Sequence, residues 1–247
     1  MIEVVKLKKY FGDYAAIDDI SFTIGKGEIV GFLGPNGAGK TTTMRILSTY
    51  LLPSSGNARV AGFDVVRNPL EVRRRIGYVP ENPPLYLDKT VDDFLGFMGR
   101  LKGLYGKALK REKSRAMERC FLGQVRKRLI GNLSRGYRQR VAIANGIIHN
   151  PEVLIFDEPT AGLDPQQIRE IRELIRSFAR EHTILLSTHI LPEVSMTCGR
   201  VIIINRGKIV VQDTLENLTS GAKESLEDVF LKLIAEERGE EEREQRI

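Results

Sequence analysis

One stretch, Gly34-Pro-Asn-Gly-Ala-Gly-Lys40-Thr41, decides the fold of this 247-residue chain. It follows a short apolar run at 28–33 that is typical of a strand, and it precedes residues 40–50, whose apolar side chains suit a buried helix. Glycines in such a turn let backbone amides point inward around phosphate groups, and the following helix presents its positive end to them. The sequence therefore predicts an α/β fold that binds ATP or GTP.

Two adjacent carboxylates follow a second apolar strand. The run Val153-Leu-Ile-Phe156 is as apolar as a strand buried on both faces, and it ends at Asp157 and Glu158. In phosphoryl transfer, Lys40 would neutralise phosphate charge while Thr41 and Asp157 hold Mg²⁺. Glu158 would orient or deprotonate the attacking water. Acidic residues after a strand are otherwise helix caps, so this pair gains its meaning from the phosphate loop.

The composition is that of an ordinary globular protein, with 42% hydrophobic and 28% charged residues. This length accommodates one large α/β domain, or one domain with an inserted subdomain. The formal charge of +6 fits a nucleotide, a nucleic acid or an acidic membrane surface as a partner, and it equally fits a role in solubility alone.

Other functions are made less plausible by what the sequence lacks. Cys120 and Cys198 are far apart, so we expect two buried, reduced thiols rather than a disulfide or a zinc site. The first ten residues do not resemble a signal peptide, and no apolar stretch reaches the roughly 18 residues of a membrane span. We therefore expect any membrane role to depend on a partner.

The rest of the chain alternates strand and helix patterns. Asp164 is placed as the N-cap, and Pro165 as the first residue, of an amphipathic helix over 165–180. The other predicted elements are strands around Val4 and at 16–22, 76–79 and 183–186, a hairpin at 201–212 that turns at Arg206-Gly207, and a helix at 226–234 before an acidic run at 236–244.

From residue 91 to about 129 the pattern is helical and rich in basic residues. We predict an inserted helical subdomain over about 82–148, not a separate domain. Its positive charge is interpreted as a solvated helical face, with contact to acidic lipid headgroups or a membrane protein as the alternative. The basic residues include Lys107, Lys110, Arg111, Lys113, Arg115 and Arg119.

A third motif, Leu133-Ser134-Arg135-Gly136-Tyr137-Arg138-Gln139-Arg140, lies shortly before the two carboxylates. It is similar to the signature sequence of the ATP-binding cassettes of ABC transporters, which ordinary phosphate-loop enzymes lack. Pro159-Thr160-Ala161-Gly162-Leu163-Asp164 is similar to the D-loop of that family. Ser187-Thr188-His189 is similar to the segment that carries its switch histidine. The resemblance extends across nearly the whole chain.

The resemblance implies one ABC domain over 1–247, with ATP and Mg²⁺ as its ligands. Its fold would be a RecA-like α/β core with an N-terminal antiparallel β subdomain, the inserted helical subdomain and a helical tail over about 222–247. The implied catalytic residues are Lys40, Glu81, Glu158 and His189, and the implied metal ligands are Thr41, Glu81 and Asp157. The implied nucleotide contacts are Phe11, Gly34, Pro35, Asn36, Gly37, Ala38, Gly39, Lys40, Thr41, Thr42, Ser134, Gly136 and Asp164.

The signature motif also has a physical rationale. Ser134 and Gly136 sit just ahead of a predicted helix at 137–148, so a hydroxyl, free amides and a helix dipole would face one anion. In the family, that anion is the γ-phosphate held by the phosphate loop of the opposite subunit. The resemblance thus implies that two subunits enclose two ATP molecules.

Two of the implied roles compete with ordinary structural ones. A histidine such as His189 is otherwise a core or surface residue, but the family context implies contact with the γ-phosphate. Phe11 is our choice for the aromatic residue that stacks on adenine, with Tyr10 and Tyr14 as alternatives, although aromatic residues in strands are commonly part of a core. His149 and His182 have no such context, and neither is assigned a role.

Two departures from the family pattern concern the site. Glu81 stands where the family normally carries a glutamine that touches Mg²⁺ and the attacking water. A carboxylate still offers oxygen to the metal but adds negative charge beside Glu158. Hydrolysis is therefore expected to be slower, or more dependent on closing of the two subunits around ATP, without being abolished. In the signature, Arg135 and Tyr137 replace the more common glycine and glutamine.

The resemblance implies an ATP-hydrolysing transporter subunit that acts at the cytoplasmic face of the cell membrane. Its partners would be an integral-membrane permease and a second cassette, identical or different, with no nucleic acid. The motif Pro83-Pro84-Leu85-Tyr86 and the segment 226–233 resemble those of exporters, and the permease would choose the cargo. The alternatives are a non-transport ABC ATPase acting on ribosomes or nucleic acid, and a degenerate subunit that binds ATP without hydrolysing it.

Overall fold

The computed structural model describes residues 1–220 and Phe230. Within this part of the chain, ten β-strands form two sheets, and eight α-helices pack around them. The predicted helix at 226–234, the acidic run at 236–244 and the predicted tail at 222–247 lie outside the described residues, Phe230 excepted.

The larger sheet contains six strands, β3 (Ile29–Leu33), β6 (Ile76–Val79), β7 (Val153–Asp157), β8 (Thr183–Thr188), β9 (Arg200–Asn205) and β10 (Lys208–Thr214). Their order is β10-β9-β3-β8-β7-β6, and all neighbours are parallel except the β9–β10 hairpin. Every residue of β7 and β8 is buried, as expected for parallel strands covered on both faces. The predicted central strands and the predicted hairpin are confirmed.

The smaller sheet is antiparallel and contains β1 (Ile2–Phe11), β2 (Tyr14–Ile24), β4 (Ser55–Val60) and β5 (Phe63–Asp64), in the order β2-β1-β4-β5. Its buried side chains, such as Ile2, Val4 and Leu7, belong to the same apolar cluster as residues of the larger sheet. The ring centroids of Phe22 and Phe32 lie 5.6 Å apart across this contact. The antiparallel sheet therefore covers part of one face of the larger sheet.

Helices occupy the connections: α1 (Lys40–Leu47), α2 (Pro69–Arg75), α3 (Val91–Leu101), α4 (Gly106–Arg119), α5 (Arg135–Ile147), α6 (Pro165–Ser177), α7 (Leu191–Thr197) and α8 (Leu215–Ser220). α1 ends at Leu47 rather than at Tyr50, since Thr49 has a φ of 62° that no helix continues through. α5 begins at Arg135, earlier than predicted, because Ser134 is its N-cap. Among residues 1–220, no helix combines the length and hydropathy that crossing a bilayer requires.

α3, α4 and α5 occupy the chain between β6 and β7, within the range 82–148 expected for the helical insertion. Two short 3-10 turns, Gly123–Val125 and Ile130–Asn132, join α4 to α5. α5 packs directly on β6: a Cβ atom at Gly77 would lie only 2.2 Å from the carbonyl oxygen of Gly146. Glycine at these positions lets the two backbones meet.

The basic face of α4 is partly neutralised within the chain. Lys113 pairs with Asp92 at 2.7 Å. Arg115 and Arg119 share Glu181, which follows α6, at 2.5 and 2.9 Å. Each exposed pair contributes only ~0–1 kcal/mol to stability. Part of the positive charge of α4 is therefore paired with acidic residues of the same chain. Less of it is free for solvent or for contact with a membrane.

Both cysteines are free and buried, as expected. Burial raises the pKa of the Cys120 and Cys198 thiols to about 12, so neither is a reactive thiolate near neutral pH.

Candidate functional site

The phosphate loop joins the end of β3 to the start of α1, and its backbone requires glycine. Gly37 and Gly39 have φ angles of 79° and 106°, in a region that residues with side chains rarely adopt. A Cβ atom at Gly39 would lie 2.5 Å from the carbonyl oxygen of Ala16, and one at Gly34 would lie 2.2 Å from that of Ile204. The loop is therefore packed tightly between β2 and β9.

The Lys40 side chain folds back over this loop. Its Nζ donates to the carbonyl oxygens of Gly34 at 2.7 Å and Pro35 at 3.1 Å. It also forms an ion pair with Oε1 of Glu158 at 3.3 Å, and the two side chains are 6% and 9% exposed. An ammonium group has three N–H donors, which these contacts account for. Lys40 therefore connects the loop to the carboxylate that follows β7.

Asp157 lies behind the loop at the end of β7. Its Oδ1 accepts hydrogen bonds from Ser187 at 2.5 Å and Thr41 at 3.2 Å, and its Oδ2 accepts one from Tyr78 at 3.5 Å. Burial raises the pKa of the Asp157 carboxyl, although the hydrogen bonds from Ser187 and Thr41 act in the opposite direction. Sequence reasoning missed Ser187 and Tyr78 as partners, because only the parallel strand register places Ser187 opposite Asp157.

Glu158 begins the turn after β7 with a φ of 47°, an uncommon conformation for a residue other than glycine. Its backbone N–H donates to the carbonyl oxygen and to Oγ of Ser187, both at 3.1 Å. Its Oε2 lies 2.9 Å from Nδ1 of His189. Because an ionised carboxylate only accepts, Nδ1 is the donor in this contact. The Glu158 side chain is thus held between Lys40 and His189. Its backbone is strained, as is often found at functional positions.

Lys40, Glu158 and His189 line one cavity of about 410 Å³. Of the three aromatic candidates, Phe11 and Tyr14 line it and Tyr10 does not. Phe11 is 50% exposed, and the hydroxyl of Tyr14 donates to the carbonyl oxygen of Gly37 at 3.3 Å. The expected site residues that line this cavity are Phe11, Asn36, Gly37, Gly39, Lys40, Thr41, Thr42, Glu81, Glu158 and His189. The expected site residues that do not line it are Gly34, Pro35, Ala38 and Asp157. Gly34 and Pro35 accept hydrogen bonds from Lys40, and Asp157 accepts one from Thr41.

Ser134, Gly136 and Asp164 lie around a second cavity of about 280 Å³. Ser134 caps α5 by accepting the N–H of Tyr137 at 3.4 Å, and Asp164 caps α6 by accepting the N–H of Gln167 at 2.9 Å. A Cβ atom at Gly136 would lie 2.9 Å from Cδ of Gln167, so the two helix starts meet closely. None of these three residues is among those that line the cavity of the phosphate loop.

Comparison with known proteins bears on this arrangement. The family model described as ABC transporter matches residues 17–161, more than half of the chain. The chain belongs to the ABC transporter family. Over 219 residues, 87% of this chain and 89% of the relative, it is 42% identical to the ABC transporter ATP-binding protein NatA of Bacillus subtilis. It is 38% identical over 229 residues, 92% of this chain and 74% of the relative, to the bacitracin transport ATP-binding protein BcrA of Bacillus licheniformis.

A solved structure described as the ATP binding subunit of an ABC transporter has the same fold. It matches with a TM-score of 0.85 and 28% identity, over 95% of this chain and 99% of that one. The predicted ABC cassette fold is therefore confirmed. This ABC protein is an ATPase of the transporter type, and the same comparisons favour that function over the ribosome- or nucleic-acid-directed alternative.

Proposed function

We propose that this ABC ATPase binds Mg-ATP in the 410 Å³ cavity and hydrolyses it at an interface with a second cassette. Hydrolysis to ADP and phosphate would drive export of a solute through a separate permease. The observation that carries the proposal is the convergence of Lys40 and His189 on Glu158, at the wall of a cavity that the phosphate loop lines.

The residues behind the loop fit a magnesium ion. Oγ1 of Thr41 and Oδ1 of Asp157 lie 3.2 Å apart, and both are oxygen ligands of the kind that Mg²⁺ prefers. Mg²⁺ bound with ATP would neutralise phosphate charge. Ser187 and Tyr78 keep the Asp157 carboxylate oriented, and Glu81 offers a further carboxylate from the cavity wall.

The contacts of Glu158 suggest how it becomes active. A phosphate group that engages the Lys40 ammonium competes with Oε1 of Glu158, which the ion pair now occupies. Released from Lys40, Oε1 could accept a hydrogen bond or a proton from the attacking water. Oε2 would stay bonded to Nδ1 of His189, which keeps the carboxylate in place. The contact with the γ-phosphate that the family resemblance implies would then be made from Nε2.

The nucleotide base would stack on Phe11. Its ring is half exposed and lines the same cavity as the phosphate loop, whereas a core aromatic residue would be buried. Tyr14 lies beside it and is bonded to Gly37. The phosphates would be bound by the loop amides at 36–41 and by the N-terminal end of α1.

We further propose that the second cavity receives the nucleotide of another cassette. The free amides in the first turn of α5 and the Ser134 hydroxyl together suit an anionic phosphate. Gly136 and Asp164 border the same cavity, where the start of α6 meets α5. Either a second copy of this chain or a related cassette could supply the opposing phosphate loop.

The permease is proposed to bind a groove beside Glu81. A cavity of about 430 Å³ lies there, lined mainly by apolar and proline residues of 79–85 with Tyr50 and Ala142, and also by polar residues that include Arg45, Asn82 and Asn145. Tyr50 is 77% exposed, which favours an apolar partner over water at this surface. Binding there would place the protein at the cytoplasmic face of the membrane, next to the loop that carries Glu81, with no nucleic acid in the complex.

Export of a drug or peptide is proposed by analogy with the relative named for bacitracin transport. Co-purification with an integral membrane protein, rather than with RNA or DNA, is the expected result for the transport function. The permease of that complex would decide the cargo.

The nucleotide site is tested by measuring ATP affinity calorimetrically for the Lys40→Ala variant. Affinity should fall roughly 10- to 100-fold, because a hydrogen bond to a charged group contributes about 1.5–3 kcal/mol. Lys26→Ala is the matched control, since Lys26 is exposed in the turn before β3 and should leave binding unchanged. Wild-type affinity in Lys40→Ala would remove this lysine from the site.

A further inference from the structure

A buried carboxyl group connects two segments of the site that are distant in sequence. Glu193 lies in the first turn of α7 and is only 3% exposed. Its Oε1 accepts a hydrogen bond from the hydroxyl of Thr160, and its Oε2 accepts one from that of Thr188 at 2.7 Å. Both threonines are buried as well, at 4% and 0% exposure. One side chain therefore holds both segments together.

The first segment leads to His189. Thr188 is the last residue of β8, and its carbonyl oxygen accepts the N–H of Gly34 in the phosphate loop at 3.4 Å. Its hydroxyl donates to Glu193 and accepts the N–H of Ile190 at 3.0 Å. Because the residues on both sides of His189 are bonded in this way, a shift of Thr188 would move the imidazole relative to its carboxylate partner.

The second segment leads away from Glu158 toward the second cavity. Thr160 lies two residues after Glu158, within the D-loop at 159–164. Its carbonyl oxygen accepts the N–H of Leu163 at 3.1 Å, which closes a tight turn before Asp164 caps α6. Asp164, which borders the second cavity, is therefore connected to Thr160 by a short, hydrogen-bonded turn.

A buried polar connection is a costly way to pack two loops against a helix. Apolar side chains of the same size would hold them with no desolvation cost, whereas a carboxyl group requires well-placed donors. Its advantage is geometric, because hydrogen bonds are directional and fix orientation as well as distance. Such a connection suits a function in which the two segments must keep one mutual arrangement.

We propose that Glu193 is a positioning residue that fixes the distance and orientation of the D-loop relative to His189. Because Glu193 bonds to both segments, the position of the D-loop at the surface that faces a second cassette determines where His189 lies relative to Glu158. The inference rests on the proposed function, since it assumes that His189 assists hydrolysis and that the D-loop borders an intersubunit site. Glu193 itself is not among the residues that line the 410 Å³ cavity.

The test compares steady-state ATP hydrolysis by the full chain in the Glu193→Gln and Thr160→Val variants. For each we expect kcat to fall roughly 10- to 100-fold, the loss typical of small misplacements of catalytic groups. KM for ATP should change less than about twofold, because the phosphate-loop contacts are untouched. A purely structural role would lower the thermal midpoint and leave kcat at low temperature unchanged.

Two further variants sharpen this result. Thr160→Ser retains the hydroxyl and should keep wild-type kcat, which separates the hydrogen bond from the packing of the methyl group. Ser195→Ala is the matched control on α7, because that exposed hydroxyl donates to the backbone of Leu191 and to no other group among the described residues, and it should leave kcat unchanged. The Thr160→Val and Glu193→Gln losses should not add in the double variant, since both break one connection.

Failure of this inference is distinguishable from failure of the proposed function. If Glu158→Gln abolishes turnover while folded Glu193→Gln and Thr160→Val keep kcat within about twofold of wild type, Glu193 does not position the site. If Glu193→Gln does not fold, kcat of Thr160→Val is compared with that of Thr160→Ser. Values within about twofold of each other would then reject the positioning role of Glu193. Normal turnover in Glu158→Gln would instead overturn the proposed function.

Discussion

The ammonium nitrogen of Lys40 lies 3.3 Å from Oε1 of Glu158, so the lysine of the phosphate loop and the carboxylate after β7 neutralise each other. A nucleotide phosphate and this carboxylate are competitors for one cation. Because both side chains are buried, the competition takes place where charges interact more strongly than in water. Binding of ATP and release of the carboxylate for catalysis are therefore expected to be one coupled event.

Replacing Glu158 with glutamine separates these two functions. The amide keeps the size of the side chain but cannot accept a proton, so the hydrolysis rate should fall roughly 10²- to 10⁴-fold. ATP binding should be kept or strengthened, because Lys40 no longer pairs with a carboxylate. Single-turnover hydrolysis and calorimetry measure the two effects. Glu152→Gln is the control, since that side chain is 53% exposed just before β7.

The same variant tests whether two cassettes enclose the nucleotide. With hydrolysis blocked, Mg-ATP should remain bound at the interface and hold Glu158→Gln as a dimer, which analytical ultracentrifugation detects. Sedimentation as a monomer at saturating ATP would contradict the proposed role of the second cavity.

The Glu81→Gln variant tests how a second negative charge in the cavity affects ATP turnover. Its side chain is in an exposed loop and lines the same cavity as Glu158, so its negative charge acts against an incoming phosphate and against a second carboxylate. Two like charges near a protein surface cost on the order of 1 kcal/mol or more. Turnover of Glu81→Gln should therefore rise roughly fivefold, because the amide keeps an oxygen ligand and removes the charge.

The control for this experiment is Glu118→Gln, an exposed glutamate on α4 in the helical insertion. It removes the same charge from the chain without altering the cavity. Equal turnover in Glu81→Gln and wild type would mean that the carboxylate has no catalytic consequence.

What the sequence predicted well depended on local patterns. The glycine-rich turn, the apolar strand before Asp157 and the N-cap at Asp164 each involve neighbouring residues, whose chemistry is visible in a short window. The family resemblance added the order of the motifs. Their joint geometry follows because the carboxyl ends of neighbouring parallel strands meet at one edge of a sheet.

What it could not predict depended on register and on contacts between distant segments. Ser187 reaches Asp157 only because β7 and β8 pair with these two residues opposite each other. The carboxyl of Glu193 accepts a hydrogen bond from Thr160, which lies 33 residues earlier in the sequence. The sequence predicted solvated basic side chains on α4, whereas Arg115 and Arg119 form ion pairs with Glu181, which follows α6. None of these pairs has a local signal.

We expect His149 to make the stability of the fold depend on pH. Its Nε2 lies 2.9 Å from the carbonyl oxygen of Ile76, which only accepts, so Nε2 carries the proton. Its Nδ1 is buried without a hydrogen-bond partner among the described residues. Burial, and then the positive charge of Lys102, lowers the pKa of His149 to about 4. The ring is thus neutral in the folded protein where a histidine in the unfolded chain, with a pKa of about 6.5, is becoming protonated.

Between these two pKa values the unfolded state binds more protons than the folded one, so the free energy of unfolding falls as pH falls from about 6.5 toward 4. Between pH 7 and pH 5 the loss from this residue should reach at most about 2 kcal/mol. His149→Gln keeps an N–H donor for Ile76 and cannot be protonated, so it should lose correspondingly less stability over the same interval. Urea unfolding followed by circular dichroism at the two pH values measures the difference. An identical pH dependence in both proteins would show that His149 titrates no differently in the folded and unfolded chain.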